Sequence, residues 1–208
     1  MRKMKKLLSV VLSVTMLTSA FPIIANAEEK TDTYEKVSLI EQKDNRTENS
    51  QTFYTSNGTY ATIATTDPIC YEDDGKYKDI DNTIIKKDAN TLTNTDNGYS
   101  VELPKVYDSG DSIVISKDNV SVSLGIIGNN VSTKAKVNNY KSEKADETSL
   151  QNQLYNELEI SKTESAVLYK NVYSNTDIEY QILPNSIKEN IIINKAPTDK
   201  LSYTYWCN

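Results

Sequence analysis

The sequence predicts an all-β fold: an antiparallel, β-sandwich-like domain with one long polar excursion, read either as a solvated loop or as the seat of a short helix. Three observations carry this. The segment Tyr54-Thr55-Ser56-Asn57-Gly58-Thr59-Tyr60 is followed by a second of the same form, Tyr71-Glu72-Asp73-Asp74-Gly75-Lys76-Tyr77. Each places Asn-Gly or Asp-Gly between β-favouring residues, the signature of a tight hairpin. Beyond them, short alternating runs recur with Asn, Asp and Gly between, the spacing of a sandwich or barrel.

The chain opens differently. Arg2, Lys3, Lys5 and Lys6 precede a mostly apolar run from Leu7 to Ile24, and Ala25-Asn26-Ala27 supplies small residues at the positions signal peptidase reads. Residues 1–27 are therefore expected to be a signal peptide with Ala25 and Ala27 at the cleavage site, and the protein to be secreted. No later stretch is long and apolar enough for a membrane-spanning helix, so the mature chain is expected to have none. Residues 28–50 are polar and charged with little apolar periodicity and read as a disordered lead-in. Val37 to Ile40 is too short to change that reading.

The β-rich domain is expected over residues 51–205. With three loop residues and Gly in the left-handed position, Tyr54 faces Tyr60, Tyr71 faces Tyr77 and Glu72 faces Lys76. Aromatic and opposite-charge pairs contribute roughly 0.2 to 1 kcal/mol each, which favours this over a two-residue loop setting Tyr71 against Lys78. Ile80 to Ile85 continues as strand, Lys86 to Asn97 reads as a polar loop, and Tyr99, Val101 and Leu103 mark a strand closed by Pro104. Ile113 and Ile115 begin the next, and Val120, Val122, Leu124 and Ile126 give the cleanest alternation in the chain. Gly128-Asn129-Asn130 turns towards a weaker strand near Val131 to Val137.

Asn138 to Thr163 interrupts the pattern, yet Leu150, Leu154 and Leu158 fall at i, i+4 spacing. Strand resumes at Ala166 to Tyr169. A hairpin from Asp177 to Lys195 turns through Pro184-Asn185-Ser186, with Tyr180 expected against Ile191 and Ile178 against Ile193. That makes one face apolar except for Glu189, which needs either a wet strand end or a Lys or Tyr partner. Leu201 to Tyr205 alternates as a last strand, and residues 206–208 read as a terminal tail.

Composition limits the chemistry. The chain has 29 acidic residues against 23 basic, a net charge of −6, and removal of the basic leader leaves it more acidic still. Phosphate backbones are bound by clustered Lys and Arg, so nucleic acid is not expected as a partner. Histidine is absent, which removes Ser-His-Asp and Cys-His catalysis and His-ligated zinc. Cys70 and Cys207 would close a long loop if bridged, but read more simply as two thiols, since Cys207 stands where chains fray.

Three stretches stand together in order: Pro68 to Thr83 (PICYEDDGKYKDIDNT), Tyr169 to Tyr180 (YKNVYSNTDIEY) and Ile187 to Ile193 (IKENIII). Behind a signal peptide they resemble the amino-terminal region of secreted, wall-associated proteins of the YD-repeat (RHS) class, over roughly Asn45 to Tyr205. The resemblance implies an exported, β-rich leading region associated with the cell wall. The repeat array and toxin of that family have no counterpart here, and no catalytic residue is implied. Together with a last strand that has no turn after it, the resemblance leads to the expectation of a truncated member whose downstream modules are absent.

The residues offer other chemistry as well. Asp177 and Glu179 share one face of a strand and Glu189 lies on its neighbour, so a glycoside-hydrolase carboxylate pair is the enzyme alternative. With so many acids such pairings arise by chance, and no catalysis is expected. Asp73, Asp74, Asp79, Asp81 and Asn82 offer oxygen ligands in a short span, but not at helix-loop-helix calcium spacing. Asp-Asp-Gly is already explained by its turn, so neither metal nor cofactor is expected. Fourteen Tyr and one Trp offer stacking surfaces for sugar rings. The candidate glycan platform is Tyr54, Tyr60, Tyr71 and Tyr77. The function expected is a non-catalytic exported surface or wall-associated module with cell-wall glycan or downstream modules as partners, the alternative being an independent carbohydrate-binding module.

Overall fold

The computed structural model describes residues 34–127, 132–198 and 202–208. The leader, the turn at 128–130, Val131 and Leu201 lie outside them. Among the described residues the fold is mostly antiparallel sheet with one short α-helix, as the pattern predicts. The span 51–205 is divided between two compact units, one built from residues 34–70 and 143–158, the other from 71–142 and 159–208.

The first unit is a three-stranded antiparallel sheet and the helix. Strands β1 (Leu39–Glu41), β2 (Ser50–Thr55) and β3 (Tyr60–Ala64) lie in that order. Part of the stretch read as a disordered lead-in is therefore ordered: Ile40 pairs with Tyr54 and Glu41 with Phe53. What holds it is a bidentate ion pair, with Arg46 Nε 2.5 Å and Nη2 2.8 Å from the Glu41 carboxylate, beneath the sheet where Arg46 is buried. A paired, hydrogen-bonded guanidinium tolerates burial that a lone charge does not. Phe53, Ala61 and Ile63 alternate inward on β2 and β3.

Helix α1 (Leu150–Glu157) settles the excursion in favour of helix. Ser149 caps it, its hydroxyl accepting from Asn152 N at 3.2 Å, and Leu154 and Leu158 are buried as their spacing predicts. The unexpected member is Gln153, also buried. Its Oε1 accepts from Val37 N at 3.2 Å and its Nε2 donates to Val37 O at 3.0 Å, so one amide completes both backbone groups of Val37. Tyr34 OH donates to the same oxygen.

The second unit takes over at Tyr71, within the hairpin β4 (Cys70–Asp73) and β5 (Lys76–Asp79). Its turn corrects the expected register. Asp74 and Gly75 are the only residues between the strands and both have positive φ, 50° and 73°. That is the two-residue turn whose twist matches paired strands. It sets Tyr71 against Lys78 and not Tyr77, and an ion pair between Lys78 and Asp73 forms on that face. Backbone twist outweighs the aromatic pair.

The rest is a two-layer sandwich. One sheet has the order β16 (Thr204–Cys207), β11 (Val120–Ile127), β10 (Ser112–Lys117), β8 (Ser100–Pro104), β7 (Thr91–Asp96), β6 (Asp81–Lys86). The other has the order β15 (Ile187–Ile193), β14 (Thr176–Ile182), β13 (Ser165–Tyr173), β12 (Thr133–Asn139), β9 (Val106–Tyr107). After β8 the chain crosses to the second sheet for two residues and returns as β10. Ile84, Leu92, Val101, Leu103, Ile113 and Ile126 point inward from the first sheet and meet Tyr107, Val167, Tyr169, Val172, Ile178, Tyr180 and Ile182 of the second.

Three further expectations change. The polar loop at 86–97 contains β7, because its inward positions are Leu92 and Asn94, and a buried Asn hides the alternation. The terminal tail is part of β16: Trp206 pairs with Gly125 and Cys207 with Leu124. Trp206 lies over a glycine, where a Cβ would come within 2.2 Å of its Nε1. The β14–β15 register is two residues from the expected one, with Ile178 opposite Ile191 and Tyr180 opposite Glu189. A four-residue connection closed by Leu183 N to Ser186 O (2.9 Å) sets this. A shift of two keeps every side chain on its face, so Ile178, Tyr180 and Ile182 of β14 point inward as read, but Ile191 and Ile193 of β15 are exposed, at 38% and 48%, because this edge strand runs past the cover of the other layer.

Candidate functional site

The first hairpin folds as its residues dictate. Thr55 N donates to Thr59 O at 2.9 Å, Gly58 has φ 83°, and Tyr54 pairs with Tyr60. Because β1 also pairs here, Ile40, Tyr54 and Tyr60 form one row across all three strands. All three are exposed, at 61%, 38% and 61%, with ring centroids of the tyrosines 5.1 Å apart and planes at 56°. One ring can lie flat beneath a sugar while the other flanks it.

The next row is Thr52 and Thr62, whose hydroxyls are 3.0 Å apart, and the one beyond is Ser50 and Ala64. A quarter of the whole chain is charged, yet these outward positions carry no charge. An aromatic pair beside hydroxyls on a neutral face suits a neutral, hydroxyl-rich ligand: apolar ring faces stack and edge hydroxyls exchange hydrogen bonds. Sequence reasoning missed Ile40, Thr52 and Thr62. The short apolar run from Val37 to Ile40 was the available signal for the first.

Tyr71 and Tyr77 belong to the other unit and are half-buried. Tyr71 donates its hydroxyl to Asp96, and burial, then that bond, raises its pKa. Of the four platform residues the structure pairs Tyr54 with Tyr60.

The carboxylates weighed for catalysis are each engaged. Asp177 is buried, and its Oδ1 accepts from Asn171 N at 2.7 Å, bracing a bulge where Asn171 has φ 53°. Glu179 Oε2 accepts from Gln181 and Asn190, both at 3.1 Å. Glu189 lies opposite Tyr180 across β14 and β15, and after burial its carboxylate is what raises the pKa values of Tyr180 and Tyr205.

The oxygen ligands near the second hairpin are likewise structural. Asp81 Oδ1 accepts from Thr83 N at 2.9 Å. Asn82 is fully buried and uses its whole amide: Nδ2 donates to Thr163 O (2.7 Å) and Leu183 O (3.0 Å), while Oδ1 accepts from Asn94 (3.1 Å) and Asn97 (3.0 Å). Among the described residues no group of three or more His, Cys, Asp or Glu could hold a metal ion. Neither cysteine forms a disulfide there; Cys70 is buried with Gln51 Nε2 3.5 Å from its sulfur, and Cys207 is exposed.

A groove of about 820 Å³ runs along the sandwich past Lys86, Leu92, Glu102, Lys105 and Lys134. Its charges are partly engaged: Glu102 holds Lys87, and Lys105 Nζ reaches the carbonyls of Asp88 and Ala89. Among the described residues no helix is long and apolar enough to cross a membrane. Comparison with protein-family models, curated proteins and solved structures finds no match to this chain.

Proposed function

We propose that this chain is a non-catalytic, exported surface module that associates with the cell wall, in keeping with its resemblance to the leading region of YD-repeat secreted proteins. The observation that supports it most is the neutral, outward face of the first unit, where Tyr54 and Tyr60 stand in one row with Ile40 beside the hydroxyls of Thr52 and Thr62. Neutral glycan is the ligand class this face fits, since an acidic chain repels anionic wall polymers. The second reading, an independent carbohydrate-binding module, rests on the same face.

Sedimentation of the chain with purified cell walls, together with a glycan array, tests both. Saturable binding to walls that falls at least about tenfold in Tyr60→Ala, the loss of roughly 1.4 kcal/mol, supports the wall module. Binding to array glycans but not to walls favours the independent module. Retention of neither, or retention unchanged in Tyr54→Ala and Tyr60→Ala, overturns the assignment of this face. Polysaccharide turnover abolished in Glu189→Gln or Glu179→Gln overturns the non-catalytic reading.

A further inference from the structure

The sequence holds two Asn-Gly steps of unlike surroundings. At the first, Asn57 stands in an exposed turn. Gly58 N is committed there to Thr55 O at 3.0 Å, and Asn57 Oδ1 accepts from Thr59 Oγ1 at 2.8 Å and from Thr55. At the second, Gly98 N is 2.6 Å from Oδ1 of its own neighbour, Asn97. That amide is clamped: Asn97 Nδ2 donates to Asn82 Oδ1 and Pro184 O, both at 3.0 Å. The clamp fixes the side chain with its carbonyl turned onto the next backbone nitrogen. Cγ, one bond beyond Oδ1, is thereby kept beside the nitrogen that must attack it, so little search is needed before the ring can close.

We propose that Asn97 is a self-modification site, converting to aspartate or isoaspartate in the folded protein ahead of the more exposed Asn57. The Gly98 nitrogen, deprotonated by hydroxide or another base, attacks Asn97 Cγ. The N–Cγ bond forms, the Cγ–Nδ2 bond breaks, and ammonia leaves with a proton from water. The cyclic imide then takes up one water. Cleavage of its bond to Cγ gives aspartate, and cleavage at the backbone carbonyl gives isoaspartate. No oxidant, metal or cofactor is required.

The product is badly placed. A carboxylate at 97 faces two oxygens, Asn82 Oδ1 and Pro184 O, that the amide had satisfied as a donor. Loss of both donors beside a new charge loosens the join between the β7–β8 turn and the β14–β15 connection. The chain thus carries a clock set by its own geometry, and aged molecules are weaker at that join.

The test is incubation of the full chain in mildly alkaline buffer, with peptide mapping at intervals for amide-to-carboxylate conversion and for isoaspartate at both steps. Conversion at 97 several-fold ahead of 57 is expected, and the preference largely disappears in urea, where the clamp is gone and both steps present the same Asn-Gly pair. The aged fraction unfolds at lower urea than the fresh chain. In Gly98→Ala, where the added carbon meets Tyr71 only at ordinary contact distances from 3.4 Å, conversion at 97 slows. Conversion of Asn57 first, conversion at neither, or a preference for 97 that persists in urea overturns the proposal.

Discussion

Tyr180 and Glu189 stand directly opposite each other on β14 and β15, a core tyrosine against an inward carboxylate. Tyr205, from the other sheet, also has its pKa raised, by burial and then by the same carboxylate. Burial first, and then the Glu189 charge, pushes the Tyr180 pKa well above the ordinary value of 10.0, and burial raises Tyr169 as well.

A pH dependence follows with a definite sign. Unfolded tyrosines lose their protons near pH 10, whereas the folded chain holds those of Tyr169 and Tyr180 to higher pH. Above about pH 10 the unfolded state therefore binds fewer protons. Stability from these groups is intact below that pH and is lost as pH rises through the folded values. Alkaline titration followed by circular dichroism and tyrosinate absorbance is expected to show buried tyrosines ionising in one cooperative step with unfolding. Full ionisation near pH 10 with the sheets intact would contradict it.

Asn82 joins β6 to the segment before β13 and to the β14–β15 connection, with its backbone carbonyl accepting from Ser165 Oγ at 2.6 Å. Asn82→Leu leaves the Asn94 and Asn97 donors and the Thr163 and Leu183 acceptors without their partner. The expected loss is on the order of 3 kcal/mol or more, read as a lower urea midpoint. A change within about 0.5 kcal/mol, the range of ordinary surface substitutions, would show that the amide network does not hold the layers.

Gly125→Ala places a carbon within 2.2 to 2.7 Å of three atoms of the Trp206 indole. The ring must leave its seat on β11 and take β16 with it. Because the chain has a single tryptophan, its fluorescence reports this directly: a red shift and easier quenching are expected, with a cost of about 1 to 3 kcal/mol. An unchanged spectrum would place the indole elsewhere.

Asn139 closes an edge. Its Oδ1 accepts from Ile84 N at 2.8 Å and its Nδ2 donates to Ile84 O at 3.2 Å, so it occupies the outer side of β6, the last strand of its sheet. Asn139→Ala is expected to cost about 1 to 3 kcal/mol and to raise concentration-dependent association, since a bare strand edge pairs with other chains. Light scattering indistinguishable from that of the parent chain would refute the second half.

Much of this architecture was legible because its apolar alternation survives in sequence: Val101 with Leu103, Ile113 with Ile126, and the inward row of β14 all lie where their spacing puts them. What escaped is polar. Asn94, Asn82 and Gln153 are buried through amide networks, and no periodicity separates an amide that points inward from one in a loop. That is why β7 reads as a loop. The register of the second hairpin escaped for a different reason: strand twist, which the cross-strand pairs do not report, selects the Asp74-Gly75 turn. At the candidate face, the Tyr54–Tyr60 pair was readable from the turn between them, whereas Ile40 depends on a strand anchored by Arg46 and Glu41.

The first unit takes residues from both sides of a long insertion, because Val37 is completed by Gln153. No single cut can release it whole: a fragment ending at residue 70 lacks the helix, and one beginning at 143 lacks the sheet. Its assembly must wait for a closure across more than half the chain, and such distant closures slow folding. Proteolysis anywhere between those segments would sever the helix covalently from the sheet it completes, leaving only noncovalent contacts to keep the tyrosine-bearing face in shape.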